Sequence, residues 1–267
     1  MKRLAALAAA LALAVVLAAV AGARTTSPPT MHPGTLVVAF GDPAVNFANG
    51  KLRGSTYINP KGYEVDLAKA IAARLHLTPK WIYTPWAKLF APGTKPFDIS
   101  FQEATITAQR KKTVDFTASY FHANQGVLLS RTAKTPHSIA DLKSMQTCAQ
   151  TDTTGLIWIQ QKLHPNKAPL IYQSTAAAFI AVHVGRCDAL ILDVPIVAAE
   201  KKARPSSYGP VGGQIVTHEQ YGGVLHKGSA LTPIINTQIA ALWKNGTIAK
   251  LQKKWFNVDF SKIPTLT

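Results

Sequence analysis

What most constrains this chain is an alternation of short apolar runs with helical stretches, which starts over partway along. "TLVVAF" (35–40) reads as a buried strand, and "GYEVDLAKAIAARLHL" (62–77) sets Val65, Ala68, Ile71, Ala72 and Leu75 at helical spacing. "KWIY" (80–83) and "FDISF" (97–101) read as strands again. After Phe116 a second set follows: "GVLLS" (126–130), "SIADL" (138–142), "MQTCA" (145–149), a helix from Gly155 to about Leu163, and "LIY" (170–172). It continues with a helix "STAAAFIAVHVG" (174–185), a strand "DALILD" (188–193) and a helix from Pro195. Helices alternating with short apolar strands mean βα units and mostly parallel sheets. The restart predicts two such sheets, hence two α/β lobes. The 267 residues suffice for both, since single cores stop growing near about 250–300 residues.

Residues 1–23, "MKRLAALAAALALAVVLAAVAGA", stand apart from this pattern. A short cationic start, an apolar run and an A-x-A ending at Ala23 read as a cleaved secretory signal, with an uncleaved anchor as the competing reading. No other stretch approaches the roughly 18–20 apolar residues that span a bilayer. The expectation is an exported, soluble protein in the periplasm. Losing Lys2 and Arg3 would lower the formal charge from +16 to +14, because 29 basic residues become 27 against 13 acidic ones. That surplus raises the question of nucleic acid. The cations are scattered singly and in pairs (Lys111-Lys112, Lys201-Lys202, Lys253-Lys254) with no interleaved aromatic motif, so no nucleic-acid partner is expected. Cys148 and Cys187 each lie in or beside a strand-like run in an oxidising compartment. If those strands are neighbours, a disulfide joins them; otherwise two buried thiols result.

Ligands of parallel α/β sheets bind beyond the carboxyl ends of the strands, and three such ends stand out. "FDISF" empties into Thr105, Thr107 and Arg110. Thr107 reads as the N-cap of a new helix whose first turn would hold Arg110, an arrangement that a bound carboxylate would relieve. A solvated basic face, Arg110-Lys111-Lys112, is the plainer reading. "MQTCA" runs into Asp152, Thr153 and Thr154 ahead of a helix, a second anion site or an ordinary N-cap. Asp193 follows four apolar residues, and a carboxylate there is either paired structurally or aimed at a cationic ligand group. Two anion sites and one acid together suit a molecule carrying both carboxylate and ammonium, an α-amino acid.

Four segments carry a family resemblance. They are "GYEVDLAKAIAARL", "FDISFQEATITAQRKKTVDFTASYF", "GRCDALILD" and "QYGGVLHKGSALTPIINTQIAALWKNGTIAKLQKKWF". In this order, from about Thr35 to Phe256, they resemble the polar amino-acid binding proteins of bacterial ABC importers, the family-3 periplasmic solute-binding proteins. The resemblance implies the two-lobe, type II periplasmic-binding-protein fold with a cleft between lobes. It places lobe 1 at 35–121 and 222–267 and lobe 2 at 122–221, after a flexible segment 24–34, with crossings near "YFHAN" and "EQYGG". It implies that Arg110 grips the ligand α-carboxylate with Thr105, Thr153 and Thr154, that Asp193 takes the α-ammonium, and that Trp86 and Phe47 wall the pocket.

The chain departs from the family at Asp152, where glycine is usual, and at Glu103, where a small residue or serine is usual. Val45 replaces a common aromatic, and "NFANGKLRGSTYINPKGYEVD" is long. If the backbone at 103–105 is extended, Glu103 and Thr105 face the cleft together, and Glu103 would accept a cationic or polar amino-acid tail. Lys88 and Lys111 are its competing partners at the rim. The function expected is capture of an L-amino acid by lobe closure and delivery to a membrane permease, by a monomer without cofactor or metal. The alternative is an exported lyase on the same fold, such as a cyclohexadienyl dehydratase, with Glu103 as general acid. No catalytic motif of another class is present; "HEQYG" at His218 lacks the second histidine of a zinc site.

Overall fold

The computed structural model describes residues 27–267. The signal peptide expected at 1–23 lies outside them. No helix among the described residues is long and apolar enough to cross a membrane.

The first half of the chain begins with β1 (Thr35–Phe40) and helix α1 (Tyr63–Arg74), as predicted, with an unpredicted hairpin of β2 (Asn49–Arg53) and β3 (Thr56–Lys61) between them. The long segment before "GYEVD" is this hairpin. Helix α1 carries Glu64 and Asp66 in its first turn and Arg74 in its last, the polarity its dipole favours. Its N-cap Gly62 has φ +146°, and a Cβ there would sit 1.9 Å from Phe47 O, so only glycine lets the helix start so close to that loop. Next come β4 (Thr78–Tyr83), the short helix α2 (Trp86–Leu89), β5 (Ile99–Ser100) and a single 3-10 turn at Arg110–Lys112. A strand of 16 residues, β6 (Val114–Leu129), leads into the second half.

There α3 (Ile139–Leu142), β7 (Thr147–Gln150), α4 (Thr154–Trp158), β8 (Leu170–Tyr172) and α5 (Thr175–His183) alternate. Helix α4 continues into a π turn at Ile159–Leu163. Then follow β9 (Ala189–Asp193), α6 (Val194–Ala203), a second 16-residue strand β10 (Val211–His226), and helices α7 (Leu231–Lys244) and α8 (Thr247–Trp255).

Two sheets were expected, and one continuous sheet of ten strands is found, ordered β2-β3-β4-β1-β5-β10-β6-β9-β7-β8. Each half keeps a parallel centre: β1 pairs in parallel with β4 and β5, and β7 with β8 and β9. The antiparallel pair β6–β10 belongs to both halves and joins them. Its length is the physical reason for the difference, because a strand of 16 residues reaches about 50 Å at 3.2–3.4 Å per residue and serves two sheets in turn. The pairing is broken in the middle, with register shifts between Ile215 and Glu219 and again around Tyr221–Val224. Helices α1, α7 and α8 pack an aromatic and aliphatic core against the first half. Two further cores lie on either face of the second half. The chain end crosses back: Leu266 is buried in a second-half core, and Leu266 N donates to Gln214 O at 2.8 Å. Cys148 on β7 and Cys187, two residues before β9, form a disulfide with Cα atoms 5.9 Å apart.

Candidate functional site

A cleft of about 840 Å³ opens between the two halves. Trp86, Glu103, Thr105, Arg110, Thr153, Thr154 and Asp193 all line it. Phe47 does not: its ring is wholly buried against Tyr63, Phe121, Tyr221 and Phe256, in the core beneath the cleft. The wall on that side is made instead by Ala44 and Val45.

Arg110 stands in the 3-10 turn and not in a helix, so no column of peptide dipoles bears on it. Thr107 still accepts from Arg110 N at 3.1 Å, the local bond expected of a cap. The guanidinium donates to Thr105 O at 2.7 Å in its own half and to Asp152 O at 2.9 Å in the other. It lies over the rings of Phe90 (4.2 Å to the centroid) and Trp86 (5.1 Å). Burial draws its pKa down to about 10, against the pull of Asp193, Glu219 and Asp152, so it remains a cation at neutral pH. Trp86 Nε1 donates to Thr151 O at 3.2 Å, a second bond across the cleft.

Asp152 has φ +58°, the left-handed region that glycine enters freely and aspartate tolerates. This accounts for the Asp152-for-glycine departure and presents its carbonyl to Arg110. Thr153 is the N-cap of α4: its hydroxyl accepts from Leu156 N at 3.2 Å and donates to Gln150 O at 2.7 Å. The plainer of the two readings describes its side chain.

Asp193 ends β9 and is buried, with no capping bond to α6. One oxygen accepts from Gln125 Nε2, the other from Tyr221 Oη at 2.5 Å. Burial first, then the nearby Glu219, raises its pKa to about 7.

Glu103 differs from its expected setting. Its φ is +48°, so the backbone is not extended, and its N–H donates to Glu64 Oε1 at 2.9 Å. Tyr120 Oη donates to the same oxygen. Glu64 is buried with its pKa raised to about 7 by desolvation. Glu103 is pushed well above the carboxylate range by burial and by Glu64. Glu103 lines the cleft, so a carboxyl that holds its proton more tightly than usual faces the ligand space. No ion pair among the described residues involves Glu103, so the rim pairing with Lys88 or Lys111 does not form.

Several residues escaped sequence reasoning. Glu219 reaches both Thr105 and Thr154, and Gln125 bridges Glu219 and Asp193. Both lie on the crossing strands, in polar runs without a period to mark them. Glu64, on the first turn of α1, reads from sequence as an ordinary dipole-matched acid. Among the described residues, no group of three or more His, Cys, Asp or Glu is arranged to hold a metal ion.

Two α/β halves sharing a crossed strand pair, with one buried guanidinium, hydroxyls from both sides and a buried acid in the cleft between them, define a two-lobe ligand-binding protein. Its particular family follows from sequence: residues 46–258 match the bacterial extracellular solute-binding proteins, family 3, and the chain belongs to that family. It is 30% identical over 203 residues to the ABC transporter arginine-binding protein 1 of Escherichia coli K12, covering 73% of this chain and 81% of the relative. An ancestral arginine-binding protein bound to glutamine superposes with TM-score 0.74 at 28% identity, covering 85% of this chain and all of the other. An ancestral amino acid-binding protein described as a precursor of cyclohexadienyl dehydratase gives TM-score 0.72 at 32% identity, covering 84% and 95%. The fold is that of the type II periplasmic binding proteins.

Proposed function

We propose that the chain is the periplasmic solute-binding component of an ABC importer, which captures an L-amino acid by closing its lobes and presents it to a membrane permease. The observation that carries this is the pairing, within one cleft, of a buried Arg110 guanidinium with a buried Asp193 carboxyl, flanked by hydroxyls from both halves. A carboxylate meets the first and an ammonium the second. The bonds of Arg110 and Trp86 to Asp152 O and Thr151 O join the same faces that a ligand would bridge, which supports closure around it. Lobe 1 would comprise 35–121 and 222–267 and lobe 2 122–221, with the last residues of lobe 1 reaching across to lobe 2 through Leu266 and Gln214.

The carboxyls that line the cleft, Asp42, Glu103, Asp193 and Glu200, outnumber its two guanidiniums, Arg110 and Arg204, and favour a cationic or polar side chain over an acidic one. The protein would act as a monomer and catalyse nothing. A thermal-shift panel of the twenty L-amino acids tests this, because a ligand at 100 times its Kd stabilises by about 2.7 kcal/mol. A selective rise with arginine, lysine, histidine or glutamine is expected. A rise with none refutes amino-acid capture; a rise only with glutamate and aspartate refutes the side-chain preference. The position of Glu103 in the cleft lining, with its pKa raised by burial and by Glu64, favours one second reading, a lyase with Glu103 as general acid. Incubation with prephenate or arogenate decides it: a binding protein yields no product.

A further inference from the structure

The two hydroxyls that flank Arg110, one from each half, are already engaged by a carboxylate of the protein itself. Thr105 Oγ1 donates to Glu219 Oε2 at 2.6 Å, and Thr154 Oγ1 to the same oxygen at 2.8 Å. Gln125 Nε2 donates to Glu219 Oε1 at 2.9 Å and also to Asp193. Three donors from three separate parts of the fold thus converge on one side chain. Hydrogen bonds to an ionised acceptor are the strong ones, so the arrangement is a built anion site with an occupant.

The local backbone explains how Glu219 arrives there. Between the pairs Ile215–Gln125 and Glu219–Ala123, strand β10 carries three residues, Val216 to His218, opposite the single residue Asn124 of β6. His218 turns into the left-handed region at φ +51°. Asn124 Oδ1 accepts the N–H groups of both Thr217 and His218 at 3.1 Å, which pins the bulge. A bulge re-aims the side chain that follows it, here into the joint between the halves. Glu219 also borders a separate pocket of about 330 Å³ with His122, Asn124 and His218.

We infer that Glu219 is an internal stand-in for the ligand carboxylate. It ties Thr105 to Thr154 while the cleft is empty, and an incoming α-carboxylate displaces it from those hydroxyls. The inference rests on the amino-acid reading above. Two carboxylates cannot share the same two hydroxyl protons, and their like charges repel in a partly buried site. The ligand therefore takes over a bridge between lobes that already exists, and its affinity is reduced by the work of removing the occupant.

The test compares each of the twenty L-amino acids with its own α-carboxamide, which keeps the ammonium and loses the anion. Affinities are measured by calorimetry in the wild-type protein and in Glu219→Ala and Glu219→Gln, with melting temperature and far-UV circular dichroism checking that each variant folds. In Glu219→Ala the amino acid that binds is expected to tighten by about tenfold, equivalent to about 1.4 kcal/mol, while its carboxamide does not gain. The acid-to-amide preference therefore rises, and it rises in Glu219→Gln as well, since the charge is gone while the shape is kept. A purely structural role for Glu219 would weaken or spare both ligands equally. An amino acid whose preference over its amide stays the same or falls in both variants overturns the role of Glu219 and leaves amino-acid capture standing. Failure of every amino acid to bind wild type or variant overturns that capture and the displacement with it.

Discussion

Replacing Arg110 with alanine removes, in one step, the group on which the proposed recognition of the ligand carboxylate rests. In the unliganded protein the change deletes two hydrogen bonds, to Thr105 O and Asp152 O, and the contacts with Phe90 and Trp86. Each bond from a charged donor is worth about 1.5–3 kcal/mol, but the guanidinium is itself buried and its desolvation offsets part of that gain. The net loss of stability should be about 1–2 kcal/mol, small enough to leave a folded protein. The effect on ligand is larger. An α-carboxylate brought into the cleft would be left buried without its partner, at a loss of roughly 3–5 kcal/mol, or between two and four powers of ten in Kd. Titration calorimetry with the amino acid selected by the thermal-shift panel measures this, alongside a melt of the variant. Arg110→Lys should recover only part of the loss, because one ammonium cannot reach two carbonyls and a carboxylate as the planar fork does. Near-native affinity in a folded Arg110→Ala protein would refute the assignment.

Further outcomes follow from other parts of the site. Asp193→Asn should weaken amino-acid binding by about 2–5 kcal/mol while leaving the melting temperature at pH 8 unchanged or higher, since it removes a buried acid repelled by Glu219; a lower melt with unaltered affinity would assign Asp193 a structural role only. The raised pKa of Asp193, about 7 against about 3.9 in an unfolded chain, means that the native state holds an extra proton in between. Its contribution to stability is therefore present below about pH 4 and lost as pH rises toward 7, and Glu64 acts in the same direction. Ligand affinity should move the opposite way, strengthening from pH 5 to about 7.5 as the carboxylate forms, with proton release visible by calorimetry in buffers of different ionisation enthalpy; a flat profile would contradict it. The Cys148–Cys187 bond closes a loop of 39 residues, worth about 4 kcal/mol by loop entropy. Denaturant melts with and without reductant should differ by about that much, and coincident midpoints would refute the estimate.

The extent to which the chain can be read without its structure varies with how local the signal is. Strand β1, helix α1 and strand β9 carry their period within a few residues, and the hydroxyl, guanidinium and carboxylate groups at the strand ends are visible from type and position alone. The single sheet was hidden because β6 and β10 change environment midway: "TASYFHANQG" and "QIVTHEQYGG" mix polar and aromatic residues with no alternation. Glu219 was hidden for the same reason. It follows a bulge, and its partners Thr105, Thr154 and Gln125 are 65 to 114 residues away in the chain. Phe47 was misplaced because its neighbours in sequence are polar and small, while the rings that bury it come from four distant segments. Glu103 lines the cleft, but its raised pKa depends on Glu64, 39 residues earlier, which no motif connects to it.

The most direct test of the central claim is a crystal structure of the protein with the amino acid that gives the largest thermal shift. The ligand should lie between the lobes, its carboxylate within 3 Å or so of the Arg110 guanidinium and its ammonium on Asp193, as charge-assisted bonds require. A ligand bound outside the cleft, or turned so that its ammonium faces Arg110, would contradict the account.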